Sequence, residues 1–176
     1  MMGDFAPLDR LARLAARHGA WLIVDDAHGI GALGRRGRGT FETFGIPLAP
    51  RHILIGTLSK TLASYGGFVA AEKSVIQFLK TRSKEFIYTT AAPPFQIIAA
   101  LEALAVVRAP EGARLRLRLA RNIHLLGQLL GRTLQSPIVP VPVAGGPDAV
   151  LAAARRLRME GYFAVGMRYP TVSRGE

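Results

Sequence analysis

Cysteine is absent from the 176 residues, which excludes disulfides, thiolate metal sites and cysteine nucleophiles and removes any need for an oxidising compartment. Aromatic residues are scarce at 7%, with one tryptophan, so there is little material for a surface that stacks nucleic-acid bases. Acids are few: 12 Asp and Glu stand against 23 Lys and Arg, a formal charge of +11. That balance suits an anionic partner such as a phosphate or a carboxylated substrate. The arginines are scattered along amphipathic stretches, which favours a solvated basic surface over a nucleic-acid site. Long apolar runs are missing as well; the best candidate, Phe95 to Val107, contains Glu102 and is too short to span a membrane. The opening Met1-Met2-Gly3-Asp4 has an acid where a signal peptide needs a basic region. A cytoplasmic protein with no membrane partner is expected. What the chain does have is 49% hydrophobic residues, enough for a core that hides roughly 70% of the unfolded surface at this length.

Leu8, Leu11, Ala12 and Ala15 recur at helical spacing after Pro7, and Gly19 is placed to end that helix. The run Ala20 to Asp25 is apolar until its terminal acid and predicts a strand buried on both faces, hence a parallel α/β sheet. A long Gly- and Arg-rich loop follows from Asp26 to Arg51, with a helical turn at Thr40 to Phe44. His52 to Gly56 and Gly67 to Ala71 read as further strands, Ser74 as the cap of a helix to about Arg82, and Ile87-Tyr88-Thr89 as a short strand. Pro93-Pro94 opens a helix to Arg108, and a second runs from Glu111 to Leu134. Beyond Ser136-Pro137 come a proline-broken edge strand at Ile138 to Val143, a helix from Asp148 to Met159 and a strand at Tyr162 to Arg168. The boundary between the two units falls near Val107 to Pro110, giving 1–107 and 108–176.

Gly29-Ile30-Gly31-Ala32-Leu33-Gly34 is a literal G-x-G-x-x-G, but Asp25 to His28 separate it from the strand, Arg35 to Gly39 follow in place of a helix, and no acid stands near Ile53 to Gly56. Dinucleotide binding is therefore not expected. Asp25 is more informative, being a carboxylate at the C-terminal end of a strand, where open parallel sheets place ligands. It or Asp26 could instead cap the next turn, and a metal site from Asp25, Asp26 and His28 is disfavoured by their closeness in sequence. The next strand ends in Thr57-Leu58-Ser59-Lys60, where hydroxyls could hold a phosphate and a lysine could bond an aldehyde. A lysine, a ring-nitrogen carboxylate and phosphate-binding hydroxyls on adjacent strand ends are the groups that pyridoxal 5'-phosphate (PLP) needs.

The sequence resembles the α-oxoamine synthases, a branch of the fold-type I PLP enzymes. The resemblance rests on Asp4-Phe5-Ala6-Pro7-Leu8 ("GD-x-APL"), Asp25-Asp26-Ala27-His28-Gly29 ("DEAHG"), Thr57-Leu58-Ser59-Lys60 ("T-x-(G/S)-K"), Ser136-Pro137-Ile138-Val139-Pro140 ("SPI-x-P") and Tyr169-Pro170-Thr171-Val172 ("YPTV"), in that order. It implies the C-terminal part of a PLP-binding large domain followed by an incomplete small α+β domain. By the same resemblance, Lys60 bonds the cofactor and acts as α-proton base, Asp25 faces the pyridine nitrogen, and His28 donates to the phenolic oxygen. Ala27 lies against the ring face, Thr57 contacts the phosphate, Thr90 reaches the phosphate of a neighbouring subunit in a homodimer, and Thr171 lies on the substrate side. The implied reaction condenses an amino acid with an acyl-CoA or acyl-carrier-protein thioester, with loss of carbon dioxide. Within the family the branch that takes alanine and a pimeloyl thioester toward biotin is favoured, with branches using glycine or serine as alternatives.

Chains of that family are longer. The ring-stacking histidine, the phosphate-cradling loop and a carboxylate-gripping arginine are expected beyond Met1 and Arg174-Gly175-Glu176, so this chain alone is not expected to turn over. The competing expectation is a non-catalytic basic domain that binds an anionic partner.

Overall fold

The helical spacing of Leu8, Leu11, Ala12 and Ala15 gives α1, Leu8–Arg17, with Leu8 buried and Asp9 paired to Arg13 one turn on. In the computed structural model, which describes residues 2–172, β1 (Leu22–Asp25) follows at once and pairs in parallel with β2 (His52–Thr57). The register matches Leu22 to His52 and Asp25 to Ile55, so both strands point their C-terminal ends the same way. Between them lies a turn-rich segment holding α2, Thr40–Thr43. β3 (Gly67–Ala70) completes the order β1-β2-β3.

Helices make up the remainder: α3 (Lys73–Arg82), α4 (Lys84–Ile87), α5 (Pro94–Arg108), α6 (Pro110–Leu129) and α7 (Gly146–Met159). Pro94 and Pro110 each sit in the first turn of their helix, where a missing N–H leaves nothing unsatisfied. The core is small. Leu8, Phe41 and Leu54 form its buried centre, with Leu22, Val24, Ile30, Phe44, Ile46 and Ala70 packed around them. It therefore lies against one face of β1 and β2 and joins α1 and α2 to the sheet.

Several expectations are corrected. β1 is not buried on both faces, since Ile23 is 60% exposed and Asp25 is exposed on the same side. β3 runs antiparallel to β2, so the sheet is mixed; the short connection from Thr57 to Gly67 allows a hairpin return but no crossover helix. Ile87 to Thr89 form no strand, because Ser83 accepts the Phe86 N–H and starts α4, which ends at Ile87. Ser74 lies inside α3, whose cap position is Glu72. α6 stops at Leu129, as Gly131 turns the chain at φ +64°. Among the described residues, Ile138 to Val143 and Tyr162 to Arg168 pair with no other strand; Pro140 and Pro142 have no N–H to offer a ladder. The expectation about Arg174-Gly175-Glu176 lies outside the described residues.

Candidate active site

Parallel pairing places the two chemistry-bearing strand ends side by side. Asp25 closes β1 and is exposed; its Oδ1 accepts the Ala27 N–H at 3.0 Å, an Asx turn that starts the segment carrying Ala27 and His28. Asp26 donates its N–H to Ile55 O of β2 at 2.9 Å, fastening the start of that turn to the neighbouring strand. Thr57 closes β2, and its hydroxyl shapes the next turn. It lies 2.7 Å from Ser59 Oγ, contacts Gly66 O at 3.0 Å and accepts the Ser59 N–H at 3.1 Å. Lys60 follows, exposed, in that turn.

The His28 imidazole feels these neighbours. Desolvation of the ring and then the Lys60 ammonium hold it below its ordinary value of 6.5, against an opposing pull from Asp25. It is therefore mainly neutral at pH 7 and can donate one ring N–H without carrying charge. The structure thus brings together Asp25, Ala27, His28, Thr57 and Lys60. It does not bring Thr90 or Thr171 to them. Thr90 is exposed in the stretch after α4, and Thr171 is exposed, its N–H bonded to Arg168 O.

A cleft of about 290 Å³ opens beside this turn, lined by Asp4, Asp25, His28, Ser136 and Pro137 among others. Three of the sequence blocks singled out above, from the start, the first strand end and the later half of the chain, share one cavity wall. Phe5 N–H donates to Gln135 Oε1 at 3.1 Å and holds the first block against the third. A larger groove of about 910 Å³ follows α6 past Arg35, Arg116 and Arg132 and includes none of the predicted residues.

The G-x-G-x-x-G glycines have packing reasons. A Cβ on Gly29 would meet Asp26 Oδ1 at 2.0 Å, one on Gly31 (φ +80°) would meet Thr61 Cγ2 at 2.3 Å, and one on Gly34 would meet Glu42 Oε2 at 2.4 Å. Gly31 thereby seats the His28 turn directly on the residue after Lys60. Glu42 is the residue that sequence reasoning missed, and Asp26 was weighed there only as a turn cap or minor ligand: Asp26 is 3% exposed and accepts the Thr40 N–H, while Glu42 accepts the N–H groups of Arg36 and Arg38. Their signal was a run of glycines in a loop otherwise poor in acids. Because the Asp26 carboxylate turns inward to Thr40, it does not join Asp25 and His28 as a ligand; no metal-holding cluster occurs among the described residues. No described helix is long and apolar enough to cross a membrane.

Comparison with known proteins gives the family. The chain is 43% identical over 180 residues to an 8-amino-7-oxononanoate synthase of Methylococcus capsulatus, covering 99% of this chain and 46% of that one. It superposes on Sphingomonas wittichii serine palmitoyltransferase with TM-score 0.86 at 28% identity, covering 99% of this chain and 45% of that one. A structure of SPT with PLP as its internal aldimine matches with TM-score 0.80 at 27% identity, covering 98% of this chain and 44% of that one. The chain spans under half the length of the curated relatives it matches. A family model, aminotransferase class I and II, matches residues 1–176 throughout, and with the mixed sheet and its paired strand ends in view, the chain belongs to the aminotransferase class I and II family.

Proposed function

We propose that this chain carries the lysine-bearing part of an α-oxoamine synthase site, which joins an amino acid to an acyl thioester with loss of carbon dioxide. The specific activity proposed is that of 8-amino-7-oxononanoate synthase, with alanine as the amino acid and a pimeloyl thioester, on coenzyme A or a carrier protein, as acyl donor. Relatives of that name at 41–43% identity over nearly the whole chain support the choice. The single observation that carries the reading is the parallel register of Asp25 with Ile55, which sets the β1 carboxylate beside the end of β2 that leads into Thr57 and Lys60.

The donor set fits PLP. A carboxylate, a neutral imidazole, an ammonium and hydroxyls occupy adjoining turns, and no ion pair among the described residues engages Asp25 or Lys60. Lys60 would hold the cofactor at its aldehyde, Asp25 would face the ring nitrogen, His28 the phenolic oxygen, Ala27 the ring face and Thr57 the phosphate. When bound, PLP supplies an electron sink for the pair left behind when the amino acid gives up its α-proton. Asp25 would hold a proton at the ring nitrogen, and Lys60 would take the α-proton at Nζ. His28 orients through its N–H and does not add a competing positive charge. Thr90 would serve the partner subunit of a homodimer and Thr171 the substrate, with residues 1–107 belonging to the large domain and 108–176 to the small one, in a cytoplasmic protein.

The test is to incubate the protein with PLP, reduce with borohydride and map the modified peptide by mass. Labelling confined to Lys60, and lost in Lys60→Ala, is expected. Label spread over Lys73, Lys80 and Lys84, or unchanged in the variant, overturns the assignment and leaves a basic domain with an anionic partner.

A further inference from the structure

We propose that Asp26, outside the groups assigned above to cofactor and substrate, is the positioning residue of this half-site: its buried carboxylate fixes the turn bearing Ala27 and His28 and so sets where His28 stands relative to Lys60. The importance given to His28 and Lys60 rests on the preceding reading; the placement itself does not.

Four attachments converge on this one residue. Its N–H reaches Ile55 O at 2.9 Å, its carbonyl accepts the Gly29 and Ile30 N–H groups at 2.9 and 3.1 Å, and its Oδ2 accepts the Thr40 N–H at 2.7 Å. The turn containing Ala27 and His28 is closed by the carbonyl, while the side chain ties the same turn to the start of α2. The carboxylate fills a slot that glycine backbone leaves open: a Cβ on Gly39 would come within 1.9 Å of Oδ2, and one on Gly29 within 2.0 Å of Oδ1. Two residues past Gly29, Gly31 packs on Thr61, next to Lys60. A shift of the Asp26 side chain therefore has a short mechanical route to both members of the pair, through Gly29 to His28 and through Gly31 to Lys60. No ion pair among the described residues involves Asp26, so its hold on the turn is made by hydrogen bonds and shape. Desolvation of the ring, then the Lys60 and Asp25 charges, act on His28, so its midpoint reads where the ring stands; Asp26→Ala and Asp26→Asn both remove the carboxylate charge, and the contrast between them separates loss of charge from loss of position.

The experiment follows the His28 imidazole by NMR against pH in the protein without added PLP, its resonance assigned by its loss in His28→Asn. In the parent the midpoint is expected below 6.5. Asp26→Ala is expected to raise it toward 6.5 and to lower borohydride-fixed labelling of Lys60 by PLP. Thr40→Pro, at the first position of α2 where proline suits a helix, removes the N–H donor and the Thr40 side chain and puts a ring carbon where the N–H met Oδ2, so it displaces the Asp26 carboxylate and is expected to move the midpoint the same way. Asp26→Asn keeps an acceptor oxygen in the same slot and is expected to hold the parent midpoint. If Asp26→Ala and Thr40→Pro lower the melting temperature while the His28 midpoint stays in place, Asp26 is a stability residue only and the proposal falls. If the midpoints move as expected while Lys60 is unlabelled in the parent, the positioning role stands and the PLP reading fails by itself.

Discussion

Between Asp26 and Thr43 the chain is mostly polar or glycine, yet it buries Asp26, Gly29, Gly31, Gly37, Gly39 and Phe41; α5, built largely from Ile, Leu, Ala and Val, buries only Ala100 and Val107. Along that helix Phe95, Ile98 and Leu101 are 69%, 59% and 60% exposed. Apolar character alone does not bury a side chain; it needs a complementary surface opposite. The loop provides its own. Asp26 accepts the part-buried Thr40 N–H, Glu42 accepts the N–H groups of Arg36 and Arg38 at the loop surface, and glycines let the backbone close on those carboxylates. α5 has α6 along one side and solvent along much of the remainder.

The largest effect that would break this contrast comes from the core beneath the loop. Phe41→Ala removes a ring that packs on Leu8 and Leu54 and lies 5.4 Å, centroid to centroid, from His52; a loss of about 3–5 kcal/mol in urea unfolding is expected. Next comes Glu42→Gln. The carboxylate accepts three hydrogen bonds from Arg36 and Arg38, and a loss of about 2 kcal/mol at neutral pH is expected. Although desolvation pushes Glu42 upward, those N–H groups and the Arg36 guanidinium hold it below 4.5. Its stabilisation is therefore present above that value and lost as pH falls through the folded value, so Glu42→Gln and the parent should converge in melting temperature in acid.

Asp26 titrates with the opposite sign. Desolvation, the larger influence, raises it above 3.8 against the Thr40 hydrogen bonds. The folded state then holds the proton more tightly than the unfolded chain, and stability falls as pH rises from 3.8 through the raised value. Asp26→Asn has no such loss, so its melting temperature minus the parent's should climb across that window and then level off; a flat difference would remove the argument. The smallest effect sharpens the comparison from the other side. Leu101→Ala, on the exposed face of a helix that tolerates alanine, is expected to change stability by less than about 0.5 kcal/mol. A loss near that of Phe41→Ala would show that α5 is covered in solution.

Much of the site was legible because strand ends announce themselves. Asp25, Thr57 and Lys60 each follow a short apolar run, and a β-strand cannot carry such a run without a sheet to bury it. α1, α2, α5 and α7 were legible for a similar reason, their apolar spacing and proline or glycine limits being local properties. The direction of β3 was not, because Gly67 to Ala70 reads the same in either orientation and only the hairpin return from Thr57 fixes it. Ile138 to Val143 has strand composition but no neighbour to pair with among the described residues, which no local pattern can reveal. Asp26 was weighed only as a turn cap or minor ligand. Its partners, Thr40 and Gly39, lie more than ten residues away in sequence, so its inward orientation appears only once α2 folds back over the turn.

The sequence by itself determined which residue types stand at the ends of β1 and β2, since strand and turn propensities act over a few neighbours. Only the tertiary structure decided that those ends adjoin, that Asp25 faces out while Asp26 faces in, and that Gly31 rests on Thr61. Each of these depends on contacts between segments that meet only when the sheet forms.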